Sequence, residues 1–200
     1  MLRAFWRHGS NAALMIGALA ICAYAGLGNA PLSPLAILAG AVLFYLTEYT
    51  THRFLFHAPP SSRGWLLKLQ RRLHYDHHVE PGRLDLLFLP LWYVAPNLAI
   101  IGLAAWAVLG DGALALSLVL GALVALLHYE WVHYVAHIPY QPRTRFGRWM
   151  KRYHLWHHFK NEHFWFGVSN PTLDFVYGTF RQPDAVTRST TVRELYREDQ

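Results

Sequence analysis

Cysteine is nearly missing from this chain of 200 residues: Cys22 stands alone, so no internal disulfide framework is available and the residue reads as a small apolar side chain. Charge is scarce as well. Only 15% of residues are charged against 54% hydrophobic, a balance too apolar for a water-soluble domain of this length and suited to a bilayer. Lys and Arg are absent from the turns at 28–33 and 110–112, and Asp and Glu avoid the centres of the apolar runs, which argues against the buried ionisable path of a transporter. Also missing are the paired Glu-x-x-His motifs of carboxylate-bridged di-iron bundles.

The hydrophobic residues cluster near 12–27, 34–46, 86–109 and 113–127, and each run approaches the roughly 20 residues that cross a hydrocarbon core. Four spans in two hairpins follow, joined by the helix-stopping stretches Gly28 to Ser33 and Gly110-Asp111-Gly112. All 18 basic residues fall at Arg3 and Arg7, between Arg53 and Arg83, or between Arg143 and Arg197. The positive-inside rule then places both termini and the central segment in the cytoplasm. A net charge of +6 confined to one side is what topology and anionic headgroups demand, so nucleic acid is excluded as a partner. A cleaved signal peptide over residues 1–30 is disfavoured by the length of the run and by Pro31 after the would-be cleavage point.

What the chain has in abundance is histidine. Apart from His8 and His163, its 13 histidines form four groups: HRFLFH at 52–57, HYDHH at 74–78, the run from His128 through His133 to His137, and HLWHH at 154–158. An offset of 80 residues carries His57, His74, His77 and His78 onto His137, His154, His157 and His158, and superposes the two turns. The expected architecture is therefore an all-α integral membrane protein, a two-fold pseudo-repeat of membrane hairpins with a cytoplasmic helical cap holding a dinuclear histidine site. Residues 1–180 would form one embedded domain and 181–200 a polar, flexible cytoplasmic tail.

Imidazole suits iron, zinc and copper, and helical spacing makes such ligands converge. His133 and His137 share a helix face, as do His74, His77 and His78, whereas His52 and His57, five apart, diverge by about 140°. That pair therefore serves different metals or straddles a helix distortion. Glu48, Asp76 and Glu130 sit at offsets suited to orienting imidazoles, with an ion pair to an arginine the alternative for Asp76. His8, His128 and His163 are assigned non-ligand roles, His128 being the candidate exception. Both halves are expected to contribute to both ions. The segments 65–73 and 145–153 mix aromatic, apolar and basic residues and read as helices in the membrane interface, where they anchor the chain, line the substrate mouth or dock an acidic electron donor.

Together these boxes, with Glu48-Tyr49, Tyr129-Glu130, Phe166-Gly167-Val168-Ser169, Asp174 and Gly178-Thr179, resemble the fatty acid hydroxylase and sterol desaturase superfamily over residues 35–180, and within it the fatty acid 2-hydroxylase branch. The resemblance implies ten ligands, His52, His57, His74, His77, His78, His133, His137, His154, His157 and His158, holding two iron ions that use dioxygen to hydroxylate a membrane lipid, with zinc able to replace iron in purified samples. It implies hydroxylation of an acyl chain, at the 2-position. A carotenoid or sterol oxygenase of the same superfamily is the alternative, and a membrane zinc-binding structural protein or metal transporter is the alternative of another class. Members of that branch often carry a cytochrome b5-like domain. This sequence has no haem-attachment motif and no stretch for one, so the electrons are expected from a separate redox protein such as a cytochrome b5-like protein or a ferredoxin.

Overall fold

The computed structural model describes residues 1–196, and among them regular structure is entirely helical. The elements are α1 (Leu2–Arg7), α2 (Gly9–Gly26), α3 (Pro34–Thr51) running into a π-helical turn π1 (His52–Phe56), α4 (Gly64–Gln70) running through π2 (Arg71–Tyr75) into α5 (Asp76–Val79), α6 (Leu84–Leu87), α7 (Leu91–Leu109), α8 (Gly112–His137), α9 (Arg145–Phe159) and α10 (Thr172–Val176). Four stretches, Gly9–Gly26, Pro34–Phe56, Leu84–Leu109 and Gly112–His137, are long and apolar enough to cross a membrane. They are apolar around their whole circumference, as a helix solvated by lipid must be. Two of them run further than their apolar residues do, which keeps His52 and the pair His133 and His137 on the same rods as the spans.

Both expected turns end one helix and begin the next. Gly28 and Gly110 take left-handed φ values of 77° and 65°, a conformation that costs glycine nothing. The Ser33 hydroxyl accepts from the Ala36 amide (3.3 Å), and Asp111 Oδ1 accepts from the amides of Ala113 (2.7 Å) and Leu114 (3.1 Å), capping α3 and α8.

The chain divides into two compact units. The first, Met1–Tyr45 with Leu89–Glu130, packs around α8. A Cβ on Gly40 would meet the Leu118 carbonyl oxygen at 1.9 Å, and one on Gly121 would meet that of Ile37 at 1.9 Å, so α3 and α8 touch backbone to backbone. Gly17 lies against Leu123 and Gly102 against Val119, which seats α2 and α7 on the same helix. The Tyr45 hydroxyl and His128 Nδ1 pair at 3.0 Å.

The second unit is Leu46–Phe88 with Trp131 onward. Tyr153, Trp165 and Val186 form a buried core with Trp149, Trp156, Phe164 and Phe180 packed against it. Trp165 holds φ at 59°, a strained value for a side chain of its size, fixed by its amide donating to Thr179 O (3.1 Å) and its indole donating to Arg181 O (3.0 Å). The loops after the two π and α8 rods are tied to the helices that follow. Gln70 holds Pro59 O and the Ser61 amide, while the Lys151 ammonium donates to the carbonyls of Val135, Ile138 and Tyr140 at 2.6–3.0 Å, closing the C-terminus of α8.

One expectation needs correcting. Residues 181–196 are not a free tail: Val186 and Val192 are buried, and Ser189, Thr191 and Arg193 bond to Glu162, His78 O and Val79 O. Spacing and polarity hid this, because the two buried residues, Val186 and Val192, stand six apart in an otherwise polar stretch. Residues 197–200 of that stretch lie outside the described ones.

Candidate metal centre

All ten expected histidine ligands lie in the second unit, in two groups whose ligand nitrogens come within 4.8 Å of one another: His52, His57, His74, His78 and His157, then His77, His133, His137, His154 and His158. Each group takes four histidines from one stretch of chain and one from the other. His77 and His78, adjacent on α5, part to different groups, as do His157 and His158 on α9. The groups abut, with the rings of His78 and His158 stacked at 4.1 Å.

Local backbone explains how residues five apart join one group. At π1 the His57 amide bonds to His52 O at 3.1 Å, the i to i+5 closure of a π turn, which widens the helix and rotates His57 back onto the face of His52. Of the two readings the i+5 spacing allows, the helix distortion is the one adopted. His133 and His137 need no such device, being one ordinary turn apart on α8.

The nitrogens that approach one another most closely are Nε2. In the first group, His57 and His74 stand 2.7 Å apart, His74 and His78 3.0 Å, His57 and His157 2.9 Å, and His52 and His74 3.2 Å. In the second, His77 and His133 stand 2.9 Å apart, as do His137 and His154. Two nitrogens about 2.1 Å from one ion in a right-angled arrangement lie about 3 Å apart. Hydrogen bonding cannot satisfy the first group by itself. His52, His78 and His157 donate from Nδ1 to the carbonyls of Phe166 (2.5 Å), Val192 (2.9 Å) and Phe164 (2.8 Å), so each neutral ring presents a lone pair at Nε2. Three lone pairs directed at two neighbours call for a cation. The donor set therefore fits two metal ions.

Burial keeps these rings uncharged, as a ligand needs to be. It holds the imidazoles of His57, His74, His77, His154, His157 and His158 well below their ordinary pKa, and that of His78 near 3, with neighbouring imidazoles adding to the effect in most of them. They are neutral at pH 7, so no imidazolium has to be discharged for a metal to bind.

The carboxylates named from spacing act elsewhere. Glu48 accepts from the amide of Ser169 (2.8 Å) and from its hydroxyl, Glu130 Oε1 from the Leu89 amide (3.0 Å), and Asp76 pairs with Arg71 Nε at 3.0 Å in partial exposure, the ion-pair alternative. Orientation of His52, His78 and His157 falls instead to backbone carbonyls, a role with no residue signature. The loop carrying two of them is nonetheless marked in the sequence. Asp174 accepts from the amides of Phe166 (2.9 Å) and Gly167 (2.7 Å) and from the Thr179 hydroxyl (2.7 Å). Thr179 receives the Tyr49 hydroxyl at 2.8 Å, and Tyr49 receives Arg53 at 2.9 Å. A Cβ on Gly167 would strike Asn170 O at 2.2 Å, so only glycine lets this loop close. His128 and His163 belong to neither group; His163 is exposed, 3.6 Å from Glu162.

Known proteins resemble this chain. The sequence model of the fatty acid hydroxylase family matches residues 37–179. Dihydroceramide fatty acyl 2-hydroxylase FAH2 of Arabidopsis thaliana is 33% identical over 171 residues, covering 80% of this chain and 66% of that protein. Fatty acid 2-hydroxylase of Rattus norvegicus is 30% identical over 147 residues, with 73% and 39% covered, and ceramide very long chain fatty acid hydroxylase SCS7 of Saccharomyces cerevisiae is 34% identical over 157 residues, with 73% and 38% covered. This chain thus spans about two-fifths of the length of the rat and yeast proteins. The solved structure of full-length scs7p, in which only the hydroxylase domain is visible, superposes with a TM-score of 0.67 at 30% identity, covering 78% of this chain and 58% of that one.

Proposed function

The chain belongs to the fatty acid hydroxylase family, and from that premise we propose that it is a membrane-embedded monooxygenase that places a hydroxyl group on a lipid acyl chain, at the carbon next to the carboxyl. The observation that carries this reading is the pair of five-imidazole groups on helices continuous with two candidate membrane spans.

Two iron ions held by the ten histidines would supply the chemistry of dioxygen reduction that an unactivated C–H bond requires. The overall balance is one C–H bond and one dioxygen, with two electrons and two protons, giving one C–OH and one water. The chain's own part is geometry. The carbonyls of Phe164, Phe166 and Val192 fix three imidazoles in the tautomer that binds through Nε2. An acyl tail can stay in lipid while its carboxyl end reaches the histidines at the helix ends, which favours reaction near that end. The distribution of Lys and Arg supports a cytoplasmic site, and the exposed basic residues of α4 and α9 suit a separate acidic electron donor such as a cytochrome b5-like protein or a ferredoxin.

Expression with iron beside a His157→Ala control, followed by mass spectrometry of hydrolysed total lipids, tests the reading. A 2-hydroxy fatty acid made only by the intact chain supports it. A mid-chain hydroxy acid, or hydroxylated carotenoid or sterol in place of hydroxy acid, moves the substrate assignment.

A further inference from the structure

The segment after the last ligand is held to α5 and to the end of α9 by several hydrogen bonds. The Ser189 amide donates to Lys160 O at 2.8 Å, and Asn161 Nδ2 to Thr187 O at 3.2 Å. Glu162, only 2% exposed, accepts at Oε1 from the hydroxyls of Ser189 (2.9 Å) and Thr191 (2.5 Å). From this anchor beyond the end of α9 the chain crosses to α5. There Val192, itself 2% exposed, turns its carbonyl onto His78 Nδ1 at 2.9 Å, and Arg193 donates to His78 O (2.9 Å) and Val79 O (2.7 Å), closing the last carbonyls of that short helix. The Arg193 guanidinium also lies 5.1 Å over the Phe159 ring.

We propose that residues 186–193 form a strap that positions His78 for the first metal ion, with Glu162 and Arg193 as its two fastenings. The proposal rests on the dinuclear reading above. Only one ring is addressed: Val192 supplies the acceptor that keeps the His78 proton on Nδ1, and His78 belongs to the group of His52, His57, His74 and His157. Helix α5 is the last turn of the rod that begins with α4, and its final carbonyls have no helical partner beyond it. Arg193 supplies what the helix lacks. The strap therefore acts on one ion more than the other, a selectivity that general stabilisation would not produce.

The test uses the iron-loaded full chain in detergent, with metal counted after timed exposure to a chelator. Glu162→Ala and Arg193→Ala are expected to release one of two equivalents about tenfold faster, leaving the other at the wild-type rate. Glu162→Gln, whose amide oxygen still accepts both hydroxyls, is expected to restore the slow rate. A chain cut after Arg188 should show the strongest form of the same asymmetry, and if it does not fold the point variants decide. Unchanged release, equal acceleration of both equivalents, or Gln behaving as Ala overturns the strap. A wild-type chain that holds fewer than two equivalents overturns the dinuclear reading itself, and the strap with it.

Discussion

Helices α3 and α8 solve one problem in two ways. His52 and His57 are five residues apart, His133 and His137 four, yet each pair serves a single group of nitrogens. The difference is one residue, and π1 absorbs it. Before π1, Gly40 and Gly121 stand 81 apart and meet at the α3 and α8 crossing, each against the carbonyl of the other's neighbour, Leu118 or Ile37, themselves 81 apart. After it, from His57 and His137 onward, the offset is 80. A π turn is an α-helix with one extra residue, which changes the register of everything downstream by one and leaves both flanks helical. The same ligand geometry is reached from sequences that do not align without a gap.

That account breaks most visibly if the extra residue is moved. Inserting one alanine between Tyr134 and Val135 of α8 should swing His137 out of its group and cut bound metal from about two to about one ion per chain, measured by elemental analysis. Deleting exposed Phe54 from π1 should leave His52 and His57 four apart in a regular helix with both ions kept. Equal damage from the two changes would show that the π turn is not a removable insertion.

Next in size is the crossing that the offset of 81 identifies. Gly121→Leu puts a side chain where Ile37 O stands, 1.9 Å from the ideal Cβ, and backbone cannot yield as a rotamer can. The expected cost is about 3 kcal/mol or more, read from unfolding in mixed detergent. Gly102→Ala, which meets only Val119 Cγ2 at 3.0 Å, should cost less than about 1 kcal/mol.

A smaller effect separates the carbonyl-oriented group from its partner. Asp174→Asn removes the anion that binds the Phe166 and Gly167 amides and so loosens the carbonyl on His52. Metal affinity should fall about 10–100-fold, the usual penalty for losing a residue behind a ligand. Smallest of all, His128→Ala loses the Tyr45 hydrogen bond, about 1 kcal/mol, and should leave metal content unchanged. A loss of metal there would make His128 a ligand after all.

Much of this was legible beforehand because it is local. Glycine and serine or aspartate at 28–33 and 110–112 stop and cap helices wherever they occur, and apolar runs of that length announce spans. The HxxHH boxes put three rings on adjacent helical positions whatever surrounds them. For Glu48, Asp76 and Glu130 spacing was a poor guide, since a carboxylate close in sequence to a histidine can turn to any donor within reach, and these three meet Ser169, Arg71 and the Leu89 amide.

By itself the sequence determined the helical class, the four apolar stretches and the histidine boxes, because side-chain chemistry and period are properties of short segments, and the family resemblance picked ten of the thirteen histidines as ligands. Only the tertiary structure decided which histidines share a group, that π1 rather than divergence answers the five-residue spacing, and that Phe164, Phe166 and Val192 orient the rings. The physical reason is that every residue carries the same carbonyl. Which of them points at an imidazole is settled by the path of the chain around Asp174 and Glu162, and no residue type records it.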